Sequence, residues 1–298
     1  MKQRSKSFLI KDILYLSIFI IPFIIGIIIK VLTTPESQGI SISGARIFFE
    51  IPMPIQNLLI TESQINSWLV MIAILGLCLY LTNGLSARQP TRRQHFAEMM
   101  VQMSESIVNS NMGEYFKAFA PFIAAMIGLS AFSSLVTLFG LYPPTSDVNV
   151  TGGWAVLVFI LITYYKSKCG PIIYLKSFAN PLLMAPLNII SEVATPVSMA
   201  FRHYGNVLSG AVISVLLATG LQGLSNLLLG WLPGVFGEIP FLQIGIPGIL
   251  SIYFDVFSGL LQAYIFAMLT MLYVSGGFPM EEYMKRKEKK QNKKILKA

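Results

Sequence analysis

The stretch PLLMAPLNIISEVATPVSMAFRHYGNVLSGAVISVLLATG, Pro181–Gly220, decides how this chain is read. It is apolar and longer than the roughly 20 residues that carry a helix across a bilayer, yet Arg202 stands near its middle. A cation at the centre of a membrane helix costs about 2.5–3.5 kcal/mol on insertion scales. That cost is tolerated where the charge faces protein, water or a passing ion. At about 100° per residue, Ser191, Thr195, Ser198, Arg202, Asn206 and Ser209 fall in one stripe, and Asn188 lies on the same side. The opposite side is Ile, Val, Leu, Met and Phe. A snorkelling arginine is the competing reading. Either end of the stretch is about 20 residues from Arg202, roughly 30 Å of helix, which a side chain spans only if the helix lies flat or steeply tilted. The stripe therefore reads as a functional surface.

The composition agrees with a membrane setting. Of 298 residues 54% are hydrophobic and 12% charged, about half the charged share of a soluble protein, and the mean hydropathy is +0.65. The net charge of +8 does not point to nucleic acid, because the basic residues sit between apolar runs and at the end of the chain. Cys78 and Cys169 lie in or beside apolar runs and fit neither a disulfide framework nor a zinc site. No small-residue cleavage site follows the first apolar run, so it is expected to be a retained span.

Outward from the arginine stretch, spans are expected at Leu14–Ile29, Ile65–Leu81, Ala118–Leu141 and Trp154–Tyr165, and a last long one at Ile244–Tyr273. Val31–Gln64 reads as a loop outside the membrane with a short extended piece, SISGARIFFEI. His95–Met112 carries Phe96, Met99, Met100, Met103 and Ile107 at helical spacing; it reads either as a helix along the membrane surface or as a soluble connector. In LYPPTSDVNVT the prolines and the Ser146–Asp147 pair mark a turn and a helix cap. Trp154 and Tyr165 suit the membrane interface. Gln222–Gln243 is rich in Gly, Pro and Trp, with Glu238 its only charge. With six crossings and both termini in the cytoplasm, all 22 basic residues except Lys30, Arg46 and Arg202 fall inside, a positive-inside distribution. The expected fold is an all-α polytopic membrane protein of about six segments, the last two long helices forming a hairpin. It divides into an N-terminal extra span and external loop (1–63), a core (64–278) and a basic cytoplasmic tail (279–298) that attracts lipid.

A second polar stripe lies on the last span, where Asp255, Ser258, Gly259 and Gln262 follow at i, i+3, i+4 and i+7. Asp255 suits a proton relay or water cavity. Gln262 suits either a channel wall or an interhelical hydrogen bond. Glu192, His203 and Asp255 are the titratable groups near Arg202; His203 lies off the stripe and reads as packing, cavity lining or proton handling. The sequence carries no phosphate loop, dinucleotide fingerprint, zinc-protease motif or nucleophile elbow. No cofactor is therefore expected, and the polar groups are arranged to pass a small ion rather than to break a bond.

PVSMAFRHYGNVLSG (Pro196–Gly210) resembles the arginine helix of subunit a of F-type ATP synthase. SDVNVT (Ser146–Thr151) resembles that family's loop before the fourth span, and LQAYIFAMLTMLY (Leu261–Tyr273) its last helix. The resemblance runs from about Gln64 to Phe278. It implies a stator subunit of the membrane sector, not an enzyme on its own, that binds no ATP and couples ion flow to ATP synthesis in the cell membrane. Its implied partners are the c-subunit ring, the b-subunit stalk, the rest of the F-type complex and membrane lipid. The resemblance gives Arg202 the task of facing the ring carboxylates. It places Asn206 and Gln262 beside the ion path, with Asp255, Glu192, Asn188, Ser198, Ser209 and His203 as further channel-lining candidates. The carried ion, H⁺ or Na⁺, is set by the ring. Where many members carry Glu this chain has Asn188, with Glu192 one turn later, and Ala211 stands opposite Asp255; more of the outer half-channel then falls to Asp255 alone. The first span is extra relative to shorter members. The alternative is a secondary transporter with a midplane arginine for an anionic solute, but that class expects an internal repeat, and Arg202 has no counterpart in the first half. A membrane-embedded acyl or phospholipid enzyme would need a catalytic cluster that Asp147 alone does not supply.

Overall fold

The computed structural model describes residues 6–33, 44–54, 57–87, 90–168, 170, 174, 185–229, 245, 248–250, 252–280 and 283–284. The basic tail, the stretch 230–244 with Glu238, and Arg88, Cys169 and Lys176 lie outside the described residues. Six described helices are long and apolar enough to cross a membrane. The protein is an all-α, multi-pass membrane protein with one small β-ribbon.

Helix α1 (Lys6–Thr33) packs along α2 (Glu62–Thr82). Between them the extended piece of the loop becomes β1 (Ile47–Ile51), paired antiparallel with β2 (Leu58–Thr61). Close approach of α1 and α2 depends on Gly76, where a Cβ would come 2.6 Å from the Phe19 nitrogen and 2.8 Å from the Ile18 carbonyl carbon. At its start α1 is tied down by a polar knot: buried Asp12 accepts from Arg93 Nη1 at 2.7 Å and from Asn83 Nδ2 at 2.9 Å. The same guanidinium donates to the Asn83 carbonyl and lies 4.7 Å from the centre of the Tyr80 ring.

Helix α3 (Arg92–Met112) starts on a Thr91 cap, whose side chain accepts from the Gln94 nitrogen, and leads through a 3₁₀ turn into α4 (Ala120–Leu135). Phe96, Met99, Met100 and Met103 are exposed on α3, while Gln94, Val108 and Met112 are its buried side. Asp147 caps α5 (Val148–Ser167), accepting from the Asn149 nitrogen at 2.9 Å, as the turn residues led one to expect. The same carboxylate accepts from the hydroxyls of Ser63 and Thr61, so the cap also fixes the start of α2.

The arginine stretch forms one helix, α6 (Ala185–Leu229, 45 residues), about 65 Å long and more than twice the thickness of a hydrocarbon core. The last span differs from a uniform α-helix: residues Ile252–Ser258 form a π-helical turn that runs into α7 (Gly259–Gly276). The main core gathers Val108 and Met112 of α3, Ile123 of α4, Val158 and Ile162 of α5, Met199 of α6 and Phe266, Met271 and Val274 of α7. A smaller cluster holds Phe23, Val70, Ala73, Val136 and Leu141 beside α1. Tyr165 lies at one end of the bundle, where the ammonium of Lys168 sits 5.4–6.0 Å from the rings of Tyr115, Tyr164, Tyr165 and Tyr283. Its hydrogen bond to the Tyr115 hydroxyl holds Lys168 above lysine's usual pKa. Trp154, near the start of α5, packs its ring edge-on against His203 at 5.7 Å.

Substituting Gly76→Ala forces a methyl group into the α1 backbone, where relief needs a backbone shift costing about 1–3 kcal/mol. The purified chain is expected to melt at lower temperature. Gly128→Ala, whose Cβ meets nothing within 4 Å, leaves the melting temperature unchanged or raises it.

Candidate functional site

Helix α6 has two unlike sides. Pro196, Met199, Ala200, His203 and Gly210 are buried against the bundle. Ser191, Ser198, Arg202 and Ser209 are exposed on the other side, with Thr195 and Asn206 half-buried at its margin and Asn188 half-buried at the start of the helix. Among the described residues Arg202 makes no ion pair or hydrogen bond. The Thr195 and Ser209 hydroxyls donate back to the carbonyls of Ser191 and Asn206, at 2.9 and 3.2 Å, which satisfies them without a partner helix.

Three of the contacts that join α6 to the last span set its register. His203 meets the Phe266 ring at 5.6 Å, Ser258 Oγ donates to Asn206 Oδ1 at 2.9 Å, and Gly210 lies so close to Phe254 that a Cβ would stand 3.0 Å from it. Falling numbers on α6 meet rising numbers on the last span, so the two run antiparallel where they touch. Here α4 closes a small cavity of about 10 Å³, lined by Ser134, Thr137, Pro143, Asn206, Val207, Phe254 and Asp255. Its size suits a single water. Asp255 sits in the π-helical turn and is half-buried; such turns recur at functional positions. One α-helical turn beyond Ser258, Gln262 is buried and its Nε2 has no hydrogen-bond partner among the described residues. His203 is fully buried between the rings of Trp154 and Phe266, with Nε2 3.3 Å from Ser130 Oγ.

The four members of the second stripe thus stay on one side despite the π turn. Asp255 lines the cavity, Ser258 bonds Asn206, Gly259 packs on Ser134, and Gln262 continues inward. Glu192 goes elsewhere. Its carboxylate takes a bidentate bond from Lys166 Nζ at 2.7 and 2.8 Å and accepts from the Tyr174 hydroxyl at 3.2 Å. It lies ten residues, about 15 Å, from Arg202 along the axis. Sequence reasoning passed over the serines of α4. Ser130, Ser133 and Ser134 recur at i, i+3 and i+4 on an apolar span and are all buried, the same signal that singled out the other two stripes.

Residues 64–275 match the family model described as ATP synthase A chain. The chain is 26% identical over 278 residues to the sodium-ion-specific ATP synthase subunit a of Propionigenium modestum, covering 82% of this chain and 88% of that protein. It is 32% identical over 223 residues to ATP synthase subunit a of Desulforamulus reducens, covering 72% and 78%. Against the subunit a of Bacillus pumilus it is 34% identical over 221 residues, covering 68% and 86%.

If Glu192 serves the fold through Lys166, the two behave as a pair. Glu192→Gln and Lys166→Met each destabilise the chain, and the double variant loses less than their sum, with a coupling of about 1–3 kcal/mol in a double-mutant cycle of unfolding.

Proposed function

The chain belongs to the ATP synthase A chain family, and from that membership we propose that it forms the ion path of the membrane sector by setting Arg202 against the ring of c subunits. The observation that carries this reading is the two-sidedness of α6. Only 11% of its most apolar stretch is buried inside the chain, and the open side carries a guanidinium with no acidic partner among the described residues. In a membrane such a charge needs carboxylates or water supplied from outside the chain. A passing ring carboxylate would find its charged form favoured beside a fixed cation and release its ion. Arginine keeps its proton throughout, so it blocks direct leakage between the two half-channels.

On this reading α6 and the last span form a tilted hairpin against the ring, tilt being the way a helix of about 65 Å stays within a 30 Å core. Asp255, Asn206 and the α4 serines border the outer half-channel, with Gln262 and His203 further in. Asn188, Ser198 and Ser209 line the α6 surface along which ring sites enter and leave. Glu192 anchors α6 to α5. The b-subunit stalk holds the assembly still, both termini lie in the cytoplasm, and the ring decides between H⁺ and Na⁺. The segment 1–63 adds a span to the core at 64–278, and 279–298 is the cytoplasmic tail. Transport of an anionic solute has no observation in its favour.

In the whole complex, Arg202→Ala is expected to abolish both gradient-driven ATP synthesis and ATP-driven ion pumping while the complex still assembles. ATP-driven pumping at the normal rate by the assembled variant would falsify the assignment. Asp255→Asn is expected to slow synthesis while leaving assembly intact, measured in the same vesicles.

A further inference from the structure

The ring of His203 is gripped by groups from three other helices. Trp154 of α5 meets it at 5.7 Å with the ring planes at 80°, and Phe266 of α7 at 5.6 Å and 90°. The two flanking rings meet each other at 6.2 Å. On α4 the Ser130 hydroxyl stands 3.3 Å from His203 Nε2. His203 and Ser130 are fully buried and Phe266 nearly so. Edge-on aromatic pairs are directional as well as apolar, so this closed triangle of rings holds the imidazole at one angle.

At that level α6 has little else to set its direction. Pro196 cannot donate the helical hydrogen bond to the Glu192 carbonyl, and the ion pair of Glu192 with Lys166 lies beyond that break from Arg202. Met199 and Ala200 are buried after the proline, but apolar burial is non-directional and survives a roll of the helix. Arg202 makes no ion pair or hydrogen bond of its own among the described residues. It directly precedes His203, about 100° away around the helix. At the outer radius of a helix, about 5–6 Å, a roll of about 30° carries a side-chain tip about 3 Å, the length of a hydrogen bond.

We propose that Trp154 is a positioning residue for ion transfer: through the His203 ring, backed by Phe266, it fixes the direction in which α6 points the Arg202 guanidinium. This role presupposes the meeting of Arg202 with ring carboxylates proposed above. Trp154 itself lines neither the cavity beside Asp255 nor the exposed stripe of α6, so its loss reaches the ion path by way of the helix it holds.

The test measures ATP-driven ion pumping by the whole complex in vesicles, per assembled complex and at matched ATP hydrolysis. Trp154→Ala is expected to cut pumping about tenfold, since displacing a reacting group by about 1 Å can cost still more. Trp154→Phe, which keeps an edge-on ring, should retain most of it. His203→Ala should lose at least as much as Trp154→Ala, and adding Trp154→Ala to it should cost nothing further, because the two act as one unit. Electron cryo-microscopy of the Trp154→Ala complex should show α6 rolled and the guanidinium displaced by about 3 Å. Normal pumping per complex in Trp154→Ala, even where less complex assembles, would overturn the proposal, as would a further loss on the His203→Ala background. So would a wild-type complex in which the imidazole lies outside the Trp154–Phe266 pair, a result that needs no variant. Arg202→Ala, run alongside, separates the two readings: if it pumps normally, the role of Arg202 fails; if it is inactive while Trp154→Ala pumps normally, the role of Trp154 alone fails.

Discussion

A guanidinium inside a membrane cannot escape its cost by losing its proton. Everything about α6 follows from where that cost is met. The buried side of the helix carries Met199, Ala200, His203 and Gly210, none of them an acid, which fix it to α4, α5 and α7 without supplying a counter-charge. The described carboxylates near the helix are engaged elsewhere: Glu192 is bonded by Lys166, and Asp255 borders its own cavity beside Asn206. Among the described residues Arg202 therefore has no counter-charge from its own chain, and its cost must be met from outside the chain.

The direction in which α6 turns its exposed side is set by contacts on its other side. Three kinds of contact do this along α6. Lys166 grips Glu192 near its start, His203 is wedged between Trp154 and Phe266 at the level of Arg202, and Asn206 takes a hydrogen bond from Ser258 one turn on. The Ser258–Asn206 hydrogen bond is modest, since interhelical hydrogen bonds in membranes average about 0.6 kcal/mol, and the Lys166–Glu192 ion pair is the stronger contact. Spread along the helix they resist rotation about its axis better than one strong contact would. His203 is instructive here: it follows Arg202 directly, so the buried ring and the exposed guanidinium sit about 100° apart on the helix, and locking one aims the other.

Much of this was legible because helical periodicity is simple. The stripe through Ser191, Ser198, Arg202 and Ser209 emerged as an exposed face from nothing more than spacing, and the Asp147 cap from turn chemistry. What stayed hidden depends on partners distant in sequence. Glu192 stood out as one of the titratable groups near Arg202, and its partner Lys166, from another helix, has no local signal in the chain. Trp154 sits near the start of its span, and only the fold reveals that its ring is used on His203. The Asp12–Arg93 knot joins residues 81 positions apart, and neither member carries a local signature.

The π-helical turn was also invisible, yet its placement has a geometric reason. On α6 the contacting residues are 203, 206 and 210, steps of three and four that an α-helix keeps near one line. Opposite them stand 266, 258 and 254, with Gln262 between, a run of fours. In an α-helix each step of four overshoots a full turn by about 40°, so three such steps would carry the face well off its partner. A π turn holds more residues per turn, and steps of four within it fall short of a full turn instead. Setting that turn at Ile252–Ser258 winds the first step back and keeps Phe254 and Ser258 aligned with Gly210 and Asn206. The same unwinding brings Asp255 to the cavity beside Asn206. Register along the helix pair and the position of the one carboxylate in the last span are therefore two results of a single change in helical winding.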